Sequence, residues 1–235
     1  IDLARKAIEI KPNSAAAFDQ LGAALERDGL LGAETESAYR KALSIDPSYA
    51  PAYAHLGRLL RKTGRGDAAR QAYASAIKNA GEPMELIAIA DSFQSEQRSA
   101  ESIPLLERVL AGDRENYSTL VLLGRALSRN GDIRGAESYL WAATQASPMS
   151  FAAFGELARL YLRQEVTGPT ESVLAKGEAV ADGFERRDLA GLFEQLGDLY
   201  AKHRMPSDAL RSYKKAMSLD PLRASLAGKV AANCR

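Results

Sequence analysis

A pair of residues, in most copies leucine followed by glycine, recurs along the chain at nearly constant spacing. Successive copies lie 33–35 residues apart, except that the last interval is 39 residues. A period of this length, kept over six copies, is typical of an array of helical hairpins. The copies are Leu21-Gly22, Leu56-Gly57, Ala90-Asp91, Leu123-Gly124, Leu157-Ala158 and Leu196-Gly197.

The apolar positions around each pair follow the period of an α-helix. In the first copy, Phe18, Leu21 and Leu25 are three and four residues apart, which places them on one helix face. A second stripe with helical spacing follows in each copy, after a turn such as Asp28-Gly29. A glycine inside the first helix lowers its helix propensity, so we expect it to allow the second helix a closer approach. No run alternates with period two, and the sequence therefore predicts an all-α chain.

This combination of positions resembles the tetratricopeptide repeat family. The resemblance covers nearly the whole chain. It implies two antiparallel helices in each repeat, stacked into an α-solenoid that forms a right-handed superhelix with a concave groove.

The register of the pattern divides the chain into repeats. The chain begins with the second helix of a repeat whose first helix is missing. Six repeats follow, and a capping helix ends the chain. We expect further sequence upstream of the first helix. The predicted ranges are 1–12 for the truncated repeat, 15–49, 50–83, 84–116 (divergent), 117–150, 151–189 (extended and irregular) and 190–223 for the six repeats, and 224–235 for the cap.

Three local features of the sequence give further structural expectations. Pro104 is compatible with a second helix only if it lies in the first turn. The segment Gly183–Asp188 is interpreted as a loop between hairpins. Asp67 follows a turn, where the N-cap of a helix is expected.

Composition and charge exclude several classes of protein. The chain has 31 lysines and arginines against 30 acids, so its net charge of +1 does not indicate a nucleic-acid partner. Residues 201–235 hold eight bases and two acids, which we interpret as a solvated outer face. No apolar run reaches the ~18–20 residues of a transmembrane helix, so membrane insertion is not expected. The single cysteine, Cys234, excludes a disulfide framework and a cysteine-rich zinc site.

The chain lacks the common catalytic motifs. It has no nucleophile elbow, phosphate-binding loop or zinc-protease motif, and its two histidines, His55 and His203, lie in different repeats. The sequence therefore predicts a protein that is not an enzyme and that uses no cofactor and no metal.

Candidate binding residues lie on the first helices. In the family that the pattern resembles, the inner face of these helices lines the groove, and the residue after the Leu-Gly pair points into it. Basic residues take this position in three copies and recur four residues later, although like charges at that spacing are unfavourable. Four residues before Arg58, Arg125 and Arg159 stand Ala54, Val121 and Gly155, none of which is acidic, and Glu156, three residues before Arg159, is the one local acid. The predicted groove consists of Arg58, Lys62, Arg125, Arg129, Arg159 and Arg163, with Ile89 and Leu122 as its apolar floor.

These residues favour a non-catalytic scaffold that binds a partner protein or peptide in the groove. The expected partner is acidic and carries apolar anchor residues. Two alternatives remain open: a substrate-recruiting arm of a larger enzyme such as a glycosyltransferase, and an assembly factor for pili, secretion or polysaccharide export at a bacterial envelope. The sequence slightly favours the cytoplasm, with the bacterial periplasm as the alternative. It leaves the identity of the partner and the oligomeric state open.

Overall fold

A computed structural model describes residues 1–223 and 225–233. These residues form fourteen α-helices and no β-strand, which confirms the predicted all-α class. The helices are α1 (Asp2–Ile10), α2 (Ala15–Arg27), α3 (Ala33–Ile45), α4 (Ala50–Lys62), α5 (Gly66–Asn79), α6 (Pro83–Ser95), α7 (Ser99–Gly112), α8 (Tyr117–Arg129), α9 (Ile133–Ala146), α10 (Phe151–Arg163), α11 (Thr167–Val180), α12 (Glu185–Lys202), α13 (Pro206–Leu219) and α14 (Ser225–Ala232).

The chain divides into two compact units, Ile1–Val109 and Leu110–Arg235, here called unit 1 and unit 2. In unit 1, α2 pairs with α3 and α4 pairs with α5, and the first helices α2, α4 and α6 pack on one another in order. In unit 2 the pairs are α8 with α9, α10 with α11 and α12 with α13, while α14 packs on α13. Each unit is therefore a helical solenoid of stacked hairpins, as the sequence predicts.

Glycines of the recurring pair lie where the two helices of a hairpin meet. A Cβ atom on Gly22 would stand 2.5 Å from a ring carbon of Tyr39, and one on Gly197 would stand 2.5 Å from a ring carbon of Tyr213. Any side chain at these positions would overlap the tyrosine ring. The predicted close approach of the helices is confirmed.

Every turn within a hairpin contains one residue in the left-handed backbone region. Three of these residues are glycines, which adopt that conformation without steric cost. The other three carry side chains and were not all recognisable as turn residues from the sequence. The six residues and their φ angles are Gly29 (81°), Gly64 (80°), Gly131 (89°), Gln97 (62°), Glu165 (58°) and Arg204 (59°).

The structure corrects the three local expectations. Pro104 is the sixth residue of α7 and so lies in the second turn of that helix, not in the first. The predicted loop Gly183–Asp188 is shorter, because α12 begins at Glu185. Asp182 and Glu185 cap that helix reciprocally: Asp182 Oδ1 accepts from the Glu185 amide at 3.0 Å, and Glu185 Oε2 accepts from the Asp182 amide at 3.1 Å. Asp67 is not an N-cap, since α5 already starts at Gly66.

The C-terminal helix covers the end of unit 2. Leu226 of α14 is fully buried, whereas Leu222 precedes the helix and is 90% exposed. Leu226 therefore contributes to the packing of this helix, and Leu222 does not. Cys234 lies outside the described residues.

Candidate functional site

Arg58 and Lys62 project from α4 onto a buried carboxylate of α2. Both carboxylate oxygens of Glu26 accept from the Arg58 guanidinium at 2.9 Å, and Lys62 Nζ donates to Oε1 at 2.8 Å. The hydroxyl of Tyr39, which lies on α3, also donates to Glu26 at 2.9 Å. The Glu26 side chain is only 4% exposed, so these donors replace the water that it would otherwise bind.

The protonation state of Glu26 follows from these contacts. Burial raises the pKa of Glu26, but the hydrogen bonds from Arg58, Lys62 and Tyr39 outweigh burial and lower that pKa to about 2. Burial and the neighbouring Glu26 raise the pKa of the Tyr39 hydroxyl, so it remains a donor. Arg58 therefore neutralises a permanent buried charge and joins α2 to α4.

The apolar floor expected at Ile89 is absent. Ile89 is 1% exposed and belongs to the core of unit 1, where it cannot touch a partner. Ile89 directly precedes the recurring pair Ala90-Asp91. Its side chain can pack into the core because most of the residues around it on α6 are apolar. Leu122, on α8, is half-buried.

Arg125 and Arg159 also have acidic neighbours. Arg125 Nε donates to Glu156 Oε1 at 3.0 Å, and Arg159 contacts that oxygen at 3.4 Å. Arg159 also donates to Asp188 Oδ1 at 2.6 Å, from the following first helix, α12. From the sequence, only acids on the same helix were considered and Glu156 alone was found, whereas the structure adds acids from adjacent repeats. A search for acids about one repeat away, 29–32 residues from each arginine, could have found most of these pairs.

The two ion pairs of Arg159 are more exposed than the Glu26 cluster. The Asp188 side chain is 47% exposed and Arg159 is 33% exposed. Ion pairs at such sites contribute about 0–1 kcal/mol, because water screens them. A competing carboxylate can therefore replace Asp188 at Arg159 at small cost.

Arg163 lies one helical turn beyond Arg159 on α10, and its guanidinium donates to the Ser128 hydroxyl. Within the described residues no carboxylate lies within ion-pair distance of Arg163. Arg163 is exposed, as is Arg129 at the end of α8. The positive charge of Arg163 is thus directed to solvent.

A cavity of about 410 Å³ lies between the first helices α10 and α12. Its volume is within the ~300–1,000 Å³ typical of ligand pockets. Asp198 on its rim is held by Tyr213 at 2.8 Å and by Lys229 at 2.7 Å, and Glu165 pairs with Lys202. The lining residues are Arg159, Leu162, Arg163, Glu165, Gln195, Asp198, Leu199 and Lys202.

The basic residues near the C-terminus do not form a continuous positive surface. Most of them meet acids of the preceding helices, so their local excess of charge is largely neutralised. The pairs are Lys202 with Glu165, Arg211 with Glu171, Lys215 with Glu178, Arg223 with Glu194 and Lys229 with both Glu194 and Asp198.

The described part of the chain contains no cluster of three or more histidine, cysteine or acidic side chains able to hold a metal ion. His55 donates to or accepts from Asp19 at 2.7 Å and so joins α4 to α2. None of the helices traced in residues 1–223 and 225–233 is long and apolar enough to cross a membrane.

Comparison with known proteins agrees with this geometry. Residues 32–85 match the family model of the tetratricopeptide repeat. No curated protein matches the chain. Among the solved structures that are similar to this chain, the following three match most of its length, at identities that bear on the fold alone.

The first is the C-terminal part of a tetratricopeptide repeat-containing protein from Cytophaga hutchinsonii, with a TM-score of 0.65, 16% identity, and 97% of this chain and 92% of that chain covered. The second is PilW, a type IV pilus biogenesis factor, with a TM-score of 0.63, 18% identity, and coverage of 91% and 97%. The third is the Cut9–Hcn1 hetero-tetramer of the APC/C, with a TM-score of 0.61 and 14% identity; 99% of this chain matches, but it spans only 45% of that chain.

Proposed function

We propose that this chain, a protein of the tetratricopeptide repeat family, is a non-catalytic scaffold that binds an acidic partner segment on the first-helix face of unit 2. The observation that carries the proposal is the cavity between α10 and α12. There Arg159 and Arg163 lie beside the apolar side chains of Leu162 and Leu199. A segment with a carboxylate next to an apolar residue fits both features.

The electrostatics favour unit 2 over unit 1. In unit 1, Arg58 and Lys62 share one buried acid, and a partner could recruit them only by leaving Glu26 uncompensated. In unit 2, Arg159 holds the exposed Asp188 and shares Glu156 with Arg125, which would still neutralise Glu156 if Arg159 turned to a partner. The described contacts of Arg163 include only a neutral hydroxyl. A partner carboxylate therefore gains attraction there without exposing a buried charge.

The proposed binding surface therefore contains fewer residues than the surface predicted from the sequence. Arg159 and Arg163 contact the partner directly in this proposal. Arg125, Arg129 and Leu122 lie on α8, which packs against α10 on the same side, and they extend the surface. Arg58, Lys62 and Ile89 stabilise unit 1 and have no part in binding.

The test is affinity capture with the purified chain, followed by mass spectrometry and titration of the captured protein. Replacing Arg159 and Arg163 together, as Arg159→Ala/Arg163→Ala, should remove about 2 kcal/mol of binding free energy, which is about thirtyfold in affinity. The matched control replaces exposed arginines of unit 2 outside the cavity, as Arg134→Ala/Arg187→Ala, and should bind like wild type.

Salt provides a second readout. Binding to wild type should weaken as ionic strength rises, and the cavity variant should lose most of that dependence. Equal affinity and equal salt dependence of the wild type and the cavity variant would refute the proposed surface. The identity of the captured protein distinguishes a general scaffold from an envelope assembly factor and from a recruiting arm for an enzyme.

A further inference from the structure

The carboxylate of Asp198 lines the cavity between α10 and α12, here called the first-helix cavity. Its side chain is 49% exposed, so it meets any segment that enters the cavity. An uncompensated carboxylate at this place would repel the acidic segment of the proposed function. The other acid of the lining, Glu165, is paired by Lys202, which also lines the cavity. The cation that compensates Asp198 comes from outside the cavity.

Lys229 of the C-terminal helix α14 is that cation. Lys229 Nζ donates to both carboxylate oxygens of Asp198 at 2.7 Å and contacts Glu194 Oε1 at 3.0 Å. It also stands 5.6 Å from the centre of the Tyr213 ring, within the range of a cation–π contact. Burial lowers the pKa of Lys229, but its hydrogen bonds to Asp198 and Glu194 outweigh burial and raise that pKa, so the ammonium group stays charged.

Asp198 depends on α14 more than Glu194 does. Glu194 has a second cation, because Arg223 Nε contacts Glu194 Oε2 at 3.1 Å. Among the described residues, no cation other than Lys229 lies within ion-pair distance of Asp198. The position of Lys229 depends in turn on Leu226, which lies three residues earlier on α14 and is fully buried where this helix packs on α13.

Arg163 and Asp198 line the same cavity with opposite charges. Arg163 attracts an acidic segment because its described contacts include only a neutral hydroxyl, that of Ser128. Without Lys229, the carboxylate of Asp198 would offset this attraction. The charge that the cavity presents to a partner is therefore set partly from outside it, by α14.

We propose that Lys229 is a specificity-determining residue of the first-helix cavity: docked α14 neutralises Asp198, so that the cavity selects an acidic segment over a neutral one of the same shape. The inference rests on the proposed function and adds its regulation, because release of α14 from α13 removes the cation and with it the preference for an acid. Specificity is a difference of affinities, so removing a repulsion increases it as surely as adding a contact does.

The probes are two capped tripeptides of equal length, acetyl-Glu-Leu-Glu-amide and its neutral analogue acetyl-Gln-Leu-Gln-amide. Each is titrated into the isotope-labelled full chain, and its Kd is taken from the amide chemical shifts of α10 and α12. The ratio of the two Kd values measures the preference for the acidic peptide. In wild type we expect the acidic peptide to bind more tightly by about fivefold.

Three substitutions of lysine test the role of Lys229. Lys229→Met keeps an unbranched side chain but removes the charge, so the preference for the acidic peptide should fall by about threefold. Lys229→Arg restores the charge and should restore the preference. The matched control is Lys214→Met, which removes an exposed cation of α13 outside the cavity and should leave the ratio of Kd values unchanged.

Asp198→Asn tests the same contact from the other side, whether or not α14 stays docked in Lys229→Met. It removes the repulsive carboxylate and should strengthen binding of the acidic peptide by about twofold. In the Asp198→Asn background, Lys229→Met should change the ratio less than it does in wild type, because the acid that Lys229 compensates is gone.

The results separate this inference from the proposed function. If Arg159→Ala/Arg163→Ala weakens binding of the acidic peptide but Lys229→Met and Asp198→Asn leave the ratio unchanged, the proposed function stands and this inference is wrong. A loss in Lys214→Met as large as that in Lys229→Met would also overturn it. Equal binding of the acidic peptide to wild type and to Arg159→Ala/Arg163→Ala would overturn both.

Discussion

Replacing Arg58 should destabilise unit 1, although the sequence suggested a binding role for this residue. Arg58 donates two hydrogen bonds of 2.9 Å to Glu26, whose side chain is 4% exposed. Removing one partner of a buried ion pair costs about 3–5 kcal/mol. Lys62 and Tyr39 remain as donors in Arg58→Ala, so we expect a loss of about 2–3 kcal/mol. That is a large share of the ~5–15 kcal/mol that stabilises a typical domain.

The assay is urea unfolding at neutral pH, followed by far-UV circular dichroism. The matched control is Arg40→Ala, because Arg40 pairs with Glu36 at 2.8 Å but is 62% exposed. This exposed pair should contribute about 0.5 kcal/mol or less.

A double-mutant cycle isolates the contact. In a Glu26→Gln background the buried charge is gone, so Arg58→Ala should cost less than about 1 kcal/mol. Equal losses in both backgrounds would refute the assignment of Arg58 to the buried carboxylate. An Arg58→Ala variant as stable as wild type would refute it as well.

Three further predictions concern stability. Because the folded-state pKa of Glu26 is about 2 against its ordinary 4.5, its contribution of up to about 3 kcal/mol is present above pH 4.5 and is lost as pH falls toward 2; acid titration of wild type against Glu26→Gln should show this difference. Gly197→Ala should lower stability by about 1–3 kcal/mol in urea unfolding, since its Cβ would overlap the ring of Tyr213. Arg204→Gly should raise the melting temperature, because Arg204 has a φ of 59° and a left-handed conformation costs a residue with a side chain about 1 kcal/mol.

The hairpins were predictable because their determinants are local. Apolar spacing identifies the helices, and in the four pairs that contain a glycine this residue marks the contact with a tyrosine or leucine of the second helix, as Gly22 does with Tyr39. The turn at Gly29 was predicted from its glycine, whereas Gln97 and Glu165 take the same left-handed conformation without a sequence signal. In those two turns the surrounding hairpin imposes the backbone geometry.

The site was less predictable because its contacts connect different repeats. The positions of Arg125 and Arg159 follow from the repeat, but their partners Glu156 and Asp188 come from helices whose register must be known to within one turn. Burial of Ile89 and of Glu26 likewise depends on how neighbouring helices pack.

Amide hydrogen exchange on the chain with and without its captured partner tests the central claim most directly, since it shows where the partner binds. We predict that the partner slows exchange in α10 and α12, around Leu162, Arg163 and Leu199. Protection confined to α2 and α4 of unit 1, with unchanged exchange in α10 and α12, would contradict the account.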